Sequence, residues 1–279
     1  MSLAFPILCA CVALGAEPVE VQFVQVAPQE RPSGEWHRSS GRRRAVVLIQ
    51  GLKPHPFNKD NAAKPTLRDW QTPGSPLVKR LAADADVYAF CYGQTVAVDE
   101  IAAHPALWGG TLRLREMGYR EVVAVGYSAG GVIARRLVED YPDAGVTKVV
   151  QVCTPNAGSG WAKLNAVRKN QKPFLESLTK EERRRELKSR LDVIIPDNVE
   201  FVCVVGTGVW VGDGIVSSRS QWTPDLQAQG IPAVTVPTDH LSAVRSSVGD
   251  ETIADLVRTS QPRWSQARVA AARKAILGE

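Results

Sequence analysis

A serine flanked by small residues, in Gly-Tyr-Ser-Ala-Gly at positions 126–130, constrains the fold of this chain more than any other feature. The apolar run at 122–125 leads into it, and a segment with helical character at 131–138 follows it. A strand that turns sharply into a helix at Gly-x-Ser-x-Gly is a nucleophile elbow, which exposes the serine hydroxyl at the end of a sheet. The N–H groups that begin such a helix favour developing negative charge. Ser128 is therefore the predicted nucleophile.

Apolar runs alternate with helical patterns along most of the chain. The runs predict strands at residues 45–50, 86–91, 121–127, 146–153, 199–206 and 231–236, with a partly alternating edge strand at 19–26. Helices are predicted at residues 76–83, 107–117, 129–141 and 252–259. Continuous apolar strands are typical of a parallel sheet covered on both faces, and alternation with helices implies right-handed crossovers. The predicted fold class is α/β, with a mostly parallel central sheet, helices on both faces and a helical, lid-like insertion.

That insertion spans about residues 158–198 and is largely charged, with helices predicted at 163–168 and 175–191. It leaves the predicted sheet at the strand ends where open α/β folds bind ligands, so we expect a lid above Ser128. The alternative is an excursion over the surface. Because 279 residues support one substantial core, residues 17–279 are predicted to form a single domain.

The N-terminal residues 1–16 are a candidate signal peptide. Residues 3–16 carry no charge, a length that suits the apolar part of a signal peptide and is short for a membrane span. No Lys or Arg precedes the run, so an apolar segment that packs on the domain is the alternative. We expect an exported protein (periplasmic, secreted or lipid-anchored), with a cytoplasmic location as the alternative. Cys91, Cys153 and Cys203 lie in apolar runs and are predicted to be buried thiols.

A serine nucleophile needs a base, and the base needs a group that orients it. The chain has four histidines: His37, His55, His104 and His240. Only His240 follows Ser128, so the chain order serine, acid, histidine predicts it as the base. The acid is expected in the loop after the preceding strand, where Asp213 lies between two glycines. Asp197 and Asp239 are alternative acids, and a Gly-Asp-Gly turn is another interpretation of Asp213.

The negative oxygen that forms during acyl transfer needs N–H donors. One is predicted to be the backbone N–H of Ala129, directly after the serine. The second is predicted to be the N–H of Leu52, in the turn after the strand at 45–50, where Gly51 allows a tight approach. An ordinary strand-ending glycine explains Gly51 equally well.

Five motifs of this chain resemble those of the bacterial lipases and esterases of the α/β-hydrolase superfamily, and they follow one another along the chain in the right order. The segment at 126–131 is similar to their Gly-His-Ser-x-Gly-Gly elbow, and residues 50–52 are similar to their His-Gly-Leu oxyanion turn. Residues 154–159 resemble Thr-Pro-His-x-Gly-Ser, residues 213–216 resemble the Asp-Gly-hydrophobic-Val motif of the acid, and residues 240–241 resemble the His-Leu of the base. Three residues depart from the pattern by replacing histidines outside the triad: Gln50, Tyr127 and Asn156.

The resemblance implies the α/β-hydrolase fold and hydrolysis of carboxylic esters by Ser128, His240 and Asp213. An amidase or peptidase on the same triad and a non-catalytic binding protein are the alternatives. The expected partner is a small-molecule or lipid ester, and aromatic residues near the predicted mouth suit an acyl chain or serve packing: Trp70, Trp161 and Trp210.

No cofactor or metal is expected, because phosphate-loop, dinucleotide and zinc-protease motifs are absent from the sequence. Some lipases of this branch bind calcium through an aspartate two residues after the base, where this chain has Ser242. The net charge of +5 is modest, so we expect no nucleic-acid partner. The basic, partly apolar segment at 264–277 is a candidate for membrane-surface contact or for a capping helix. The sequence leaves the oligomeric state open.

Overall fold

A computed structural model describes residues 19–29, 34–53, 60–163, 169–209 and 212–279. The candidate signal peptide at 1–16, His55, Trp210 and most of the helix predicted at 163–168 lie outside the described residues, and export stays a prediction. The strands are β1 (Val21–Ala27), β2 (Arg44–Ile49), β3 (Asp86–Tyr92), β4 (Glu121–Tyr127), β5 (Lys148–Val152), β6 (Glu200–Gly206) and β7 (Ala233–Val236).

Helices follow most of these strands. They are α1 (Asp60–Ala63), α2 (Pro76–Leu81), α3 (Val98–Ala102), α4 (Pro105–Glu116), α5 (Ala129–Asp140), α6 (Lys172–Glu176), α7 (Lys180–Ser189), α8 (Ser218–Gln221), α9 (Pro224–Ala228), α10 (Ser247–Arg258) and α11 (Gln266–Leu277). Among the described residues, no helix is both long enough and apolar enough to span a bilayer.

The seven strands form one sheet in the order β1-β3-β2-β4-β5-β6-β7. Only β1 runs antiparallel, at the edge beside β3, and every other neighbouring pair is parallel. Buried side chains of α3, α4 and α5 pack on one face, and those of α2 and α10 pack on the other. The helices on both faces of this mostly parallel sheet confirm the predicted fold class.

Most predicted helices end within two residues of the observed bounds, and two depart further. Helix α10 begins at Ser247 rather than at 252, because the Ser246 hydroxyl accepts the Gly249 N–H and caps the helix. The single helix predicted at 175–191 is wrong. The chain forms α6 and α7 with a break between them, where Thr179 caps α7 by accepting the Glu182 N–H.

The second half of the insertion packs against α5. Arg136 of α5 pairs with Glu186 of α7 at 2.5 Å, and Arg190, just after α7, reaches Asp140 of α5 at 2.5 Å. The Phe174 ring of α6 lies 6.0 Å from the Tyr92 ring at the end of β3. The insertion is thus anchored on the domain beside the ends of the strands, and its movement as a lid stays a prediction.

Candidate active site

The elbow between β4 and α5 is enforced by close packing. Ser128 has φ 54° and ψ −124°, in a region that non-glycine residues avoid, and its N–H donates to the Val152 carbonyl at 2.8 Å. A Cβ on Gly126 would lie 2.6 Å from the Gly131 Cα, and one on Gly130 would lie 2.5 Å from the Gln50 carbonyl oxygen. Both distances are shorter than van der Waals contact, so the small residues of the motif are a steric requirement.

His240 lies in the loop after β7, within reach of the elbow. Its Nε2 is 3.0 Å from the Ser128 Oγ, and its Nδ1 is 2.7 Å from the Asp213 Oδ2. The loop is fixed at the backbone too, because the His240 N–H donates to the Asp213 carbonyl at 2.8 Å and its carbonyl accepts the Tyr127 hydroxyl at 2.8 Å. The structure thus brings the predicted nucleophile, base and acid into one hydrogen-bonded chain.

Asp213 is 1% exposed and lies in the loop after β6. Its neighbours Gly212 and Gly214 have φ values of 121° and 90°, which side chains rarely adopt, so the sharp turn needs both glycines. The Oδ1 atom accepts the backbone N–H groups of Ile215 at 2.9 Å and Val216 at 2.7 Å. These bonds lock the carboxylate so that Oδ2 faces the histidine.

The two alternative acids lie elsewhere. The Asp197 side chain is 92% exposed and pairs with Arg263 at 3.2 Å. The exposed Asp239 accepts hydrogen bonds from the N–H groups of Leu241 and Ser242 and from the Ser242 hydroxyl, which lowers the pKa of its carboxyl. Neither contacts His240 through its carboxylate, so the geometry favours Asp213.

Both predicted N–H donors flank the serine. Ala129 is the first residue of α5, so its N–H has no partner within the helix. Gly51 lies against the elbow, since a Cβ there would be 2.8 Å from the Ser128 Cβ, and Leu52 follows it in the same turn. No acceptor among the described residues pairs with the N–H of Leu52 or of Ala129. Both predicted donors therefore lie beside the serine without a partner among the described residues.

Two polar residues that contact the hydrogen-bonded Ser128, His240 and Asp213 were not predicted from the sequence. The Gln221 side chain donates to the Asp213 Oδ2 at 3.3 Å and to the Val216 carbonyl at 2.9 Å, while accepting the Gly206 N–H at 2.8 Å. Tyr127, at the variable position of the elbow motif, holds the His240 carbonyl through its hydroxyl. No local pattern marks Gln221, whereas the position of Tyr127 inside the motif was a usable signal.

Within the described residues, one group of three side chains has the residue types of a metal site: Cys153, Asp213 and His240, whose ligand atoms lie within 4.8 Å of one another. Burial, followed by the adjacent Asp213 carboxylate, raises the pKa of the Cys153 thiol well above its usual value. A neutral thiol is a poor metal ligand, since metals bind the thiolate. Two of the three groups, Asp213 and His240, are bound to each other through Oδ2 and Nδ1 at 2.7 Å.

Apolar side chains are exposed beside the site. Trp161 of the insertion is 57% exposed, Val209 is 46% exposed, and Leu241, next to His240, is 61% exposed. Trp161, Val209 and Ile215 line a cleft of about 320 Å³ next to the loop that carries Asp213. Trp70 fits the packing alternative: it is 2% exposed and packs edge-on against the Tyr127 ring, so it supports the elbow from inside the core.

Solved structures of similar fold include lipases and esterases. The mature lipase BlEst2 of Bacillus licheniformis matches 87% of this chain and 99% of its own length, with a TM-score of 0.59 and 15% identity. The phospholipase PlaB of Legionella pneumophila matches 86% of this chain and 63% of its own, with a TM-score of 0.57 and 15% identity. The metagenomic carboxyl esterase MGS0156 matches 91% of this chain and 82% of its own length, with a TM-score of 0.52 and 16% identity.

No protein-family model and no curated protein matches the sequence, so the likeness is one of structure. The matched structures share the parallel sheet and its helices with this chain across most of its length. The chain therefore has the α/β-hydrolase fold.

Proposed function

We propose that this protein hydrolyses carboxylic esters through a covalent acyl-enzyme on Ser128. The observation that carries the proposal is the continuous chain of hydrogen bonds from the Ser128 Oγ to His240 (3.0 Å) and from His240 to Asp213 (2.7 Å). Serine, imidazole and carboxylate in that contact order activate a hydroxyl that is otherwise a weak nucleophile at neutral pH. The lipase and esterase neighbours support a hydrolase of esters.

In the proposed reaction, the Ser128 Oγ attacks the ester carbonyl carbon while the His240 Nε2 takes the hydroxyl proton. The carbonyl oxygen becomes negative and accepts hydrogen bonds from the backbone N–H groups of Ala129 and Leu52. The intermediate then collapses, and the alcohol leaves with the proton that His240 returns. Water repeats the sequence on the acyl-enzyme, with the same imidazole as base, and releases the acid.

Asp213 has an orienting role in this proposal. Its Oδ2 faces the His240 Nδ1, so that nitrogen carries the proton and Nε2 keeps the lone pair that faces Ser128. The carboxylate also stabilises the imidazolium that forms when the proton is taken. Because two backbone N–H groups and Gln221 hold the carboxylate, it does not need to reorganise during the reaction.

The exposed apolar residues support an ester with an apolar acyl or alkyl chain, and lipid esters belong to this class. Trp161, Val209 and Leu241 present apolar surface to solvent beside the site. Trp161 and Val209 line the same cleft, and apolar surface gathered in one place is typical of a binding region. A series of p-nitrophenyl esters of increasing acyl length, with and without detergent micelles, is expected to show faster turnover for acyl chains longer than acetyl.

The test compares the parent protein with Ser128→Ala. We expect the parent to hydrolyse p-nitrophenyl butyrate and to be labelled by a fluorophosphonate probe, and we expect Ser128→Ala to lose both while keeping its unfolding temperature. Hydrolysis at the parental rate by Ser128→Ala would contradict the mechanism. A folded parent that stays unlabelled favours a binding protein, and a matched amide cleaved faster than its ester favours an amidase.

A further inference from the structure

The turn that carries the proposed Leu52 donor is held by two buried glutamine side chains. Gln94, just after β3, is 1% exposed, and Gln171, in the insertion, is fully buried. The Gln94 Nε2 donates to the Gly51 carbonyl at 2.9 Å, and its Oε1 accepts the Lys53 N–H at 3.0 Å. The Gln94 side-chain amide is therefore hydrogen-bonded to the backbone on both sides of Leu52.

These bonds fix the orientation of the Gln94 amide, because a carbonyl only accepts and a backbone N–H only donates. They also fix the direction of the Leu52 N–H. The Gly51 carbonyl and the Leu52 N–H belong to one peptide group, which is trans, since the only cis peptide among the described residues joins Ala27 and Pro28. In a planar trans peptide the two groups point in opposite directions. A donor on the Gly51 carbonyl thus turns the Leu52 N–H away from Gln94.

Gln171 brings the insertion into the same network. Its Nε2 donates to the Lys53 carbonyl at 3.0 Å and to the Gln94 Oε1 at 3.2 Å. Gln171 directly precedes α6, whose Phe174 ring packs on Tyr92, and the Tyr92 hydroxyl donates to the Gln50 carbonyl at 2.5 Å. The insertion therefore supports the turn through an amide contact and through an aromatic contact.

We propose that Gln94 and Gln171 are positioning residues that aim the Leu52 N–H at the oxyanion, and that the 158–198 insertion thereby sets the reactivity of the site. The proposal rests on the function proposed above. Buried amides that merely stabilise the fold are the competing explanation. The two explanations differ in what the loss of the amide changes: the rate of the chemical step, or only the free energy of unfolding.

Gln94→Met and Gln171→Met test the idea, because methionine has nearly the shape of glutamine and makes none of these hydrogen bonds. We expect Gln94→Met to lower kcat about 10- to 100-fold, less than the loss of a whole oxyanion donor, with KM nearly unchanged. The Ki of an alkyl trifluoromethyl ketone should rise by the same factor, since its serine adduct carries a negative oxygen. Gln171→Met should act in the same direction and less strongly, because it reaches the peptide group through Gln94.

The matched control is Gln71→Met. Gln71 is also fully buried, accepts the Arg68 N–H at 3.0 Å and donates to the Leu48 carbonyl at 2.9 Å, away from the turn. It should lose stability to a similar extent in urea unfolding while keeping kcat and the inhibitor Ki. Equal losses of kcat in Gln71→Met and Gln94→Met would overturn the proposal, as would a parental kcat in both test variants.

Gln94→Glu adds a readout that a purely structural role does not move. A protonated carboxyl can donate to the Gly51 carbonyl, whereas a carboxylate cannot. The kcat of this variant relative to the parent should therefore rise as the pH falls from 8 to about 5, and a ratio independent of pH would contradict the proposal. Failure of the function itself is distinguishable, because it would appear as a parent protein without Ser128-dependent ester hydrolysis.

The double variant measures the coupling between the two glutamines. Because Gln171 is proposed to act on the oxyanion turn through Gln94, adding Gln171→Met to Gln94→Met should lower kcat less than it does alone. Independent, multiplicative losses would show that Gln171 affects the rate by a route other than Gln94, such as its bond to the Lys53 carbonyl, and would overturn the proposed coupling between the two glutamines.

Discussion

The elbow and the loops that face it hold their functional groups in different ways. At the elbow, Gly126 and Gly130 lie so close to neighbouring backbone that no Cβ fits, and Ser128 adopts a positive φ. In the loop after β6, Asp213 is held by backbone N–H groups and by the Gln221 amide instead. Close packing positions the proposed nucleophile Ser128, whereas hydrogen bonds position the proposed acid Asp213.

This difference predicts two kinds of failure. A steric conflict at the elbow cannot be relieved locally, because α5, β4 and β2 meet there, so substitutions should reduce the stability of the whole domain. A lost hydrogen bond in a loop leaves the packing intact, so substitutions there should slow the proposed reaction at nearly constant stability.

The largest expected effect on rate is that of Asp213→Asn. The amide keeps the shape of the side chain but loses the charge that stabilises the imidazolium, and it favours the wrong tautomer of His240. We expect kcat for an ester to fall by about 10³- to 10⁴-fold with a nearly unchanged unfolding temperature. The control is Asp239→Asn, adjacent to His240 in sequence and exposed, which should keep kcat. Equal losses in the two variants would show that the assignment of the acid is wrong.

On the steric side, Gly130→Ala should be severely damaging. Its Cβ would lie 2.5 Å from the Gln50 carbonyl oxygen, so α5 would have to move away from β2. We expect a loss of about 3 kcal/mol or more in the free energy of unfolding. Gly109→Ala in α4 is the control, because its Cβ would meet nothing within 4 Å and should stabilise the helix by about 0.5–1 kcal/mol. Urea unfolding of both variants measures the contrast, and similar values would contradict the steric account.

The same comparison explains what the sequence could predict at the site. Steric positioning leaves a run of small residues around Ser128, and this run is visible in the sequence. Chain order then pointed to Asp213 and His240, and the structure brings the three side chains together. Hydrogen-bonded positioning leaves no such trace: Gln94 is more than 40 residues from the Gly51 carbonyl that it holds. A lone glutamine has no pattern until the fold supplies its partner.

The fold was predictable for a related reason. Strands buried on both faces are unbroken apolar runs, and β4 was predicted with its observed bounds, Glu121–Tyr127. The break between α6 and α7 was missed, because α7 is polar and offers no apolar period. A signal was present there: Thr179 followed three residues later by Glu182 has the form of a capping box, which marks the start of a helix.

A smaller effect is expected for Gln221→Met, which removes the side-chain amide that holds the Asp213 loop. The variant loses a bond to the Asp213 Oδ2, a bond to the Val216 carbonyl of the loop and a bond from the Gly206 N–H at the end of β6. We expect kcat to fall about tenfold, equivalent to a hydrogen bond to a charged group worth about 1.4 kcal/mol. The control is Gln227→Met, another buried glutamine, which donates to the Trp222 carbonyl at 2.7 Å. A fall in kcat common to both variants would indicate general loosening rather than positioning.

Hydrogen bonding should also decide how a buried carboxyl responds to pH. Asp213 and Asp250 are each 1% exposed, but neither oxygen of Asp250 has a partner among the described residues. Burial raises the pKa of Asp250, and Arg80 offsets part of the rise. The pKa of an aspartate in the unfolded chain is about 3.9, so folding must bury a negative charge once the pH exceeds this value. The contribution of Asp250 to the stability of the parent therefore falls as the pH rises from about 4 through the raised pKa.

Asp250→Asn removes this titration, so its unfolding temperature should match that of the parent near pH 3 and exceed it at pH 7. Asp239→Asn is the control of opposite sign. Hydrogen bonds from Ser242 lower the pKa of Asp239, so the charged form contributes stability above the unfolded pKa that is lost as the pH falls through the lowered value. This variant should be slightly less stable than the parent at pH 7. If Asp250→Asn instead loses stability at pH 7, the carboxylate has a stabilising partner, and the contrast with Asp213 disappears.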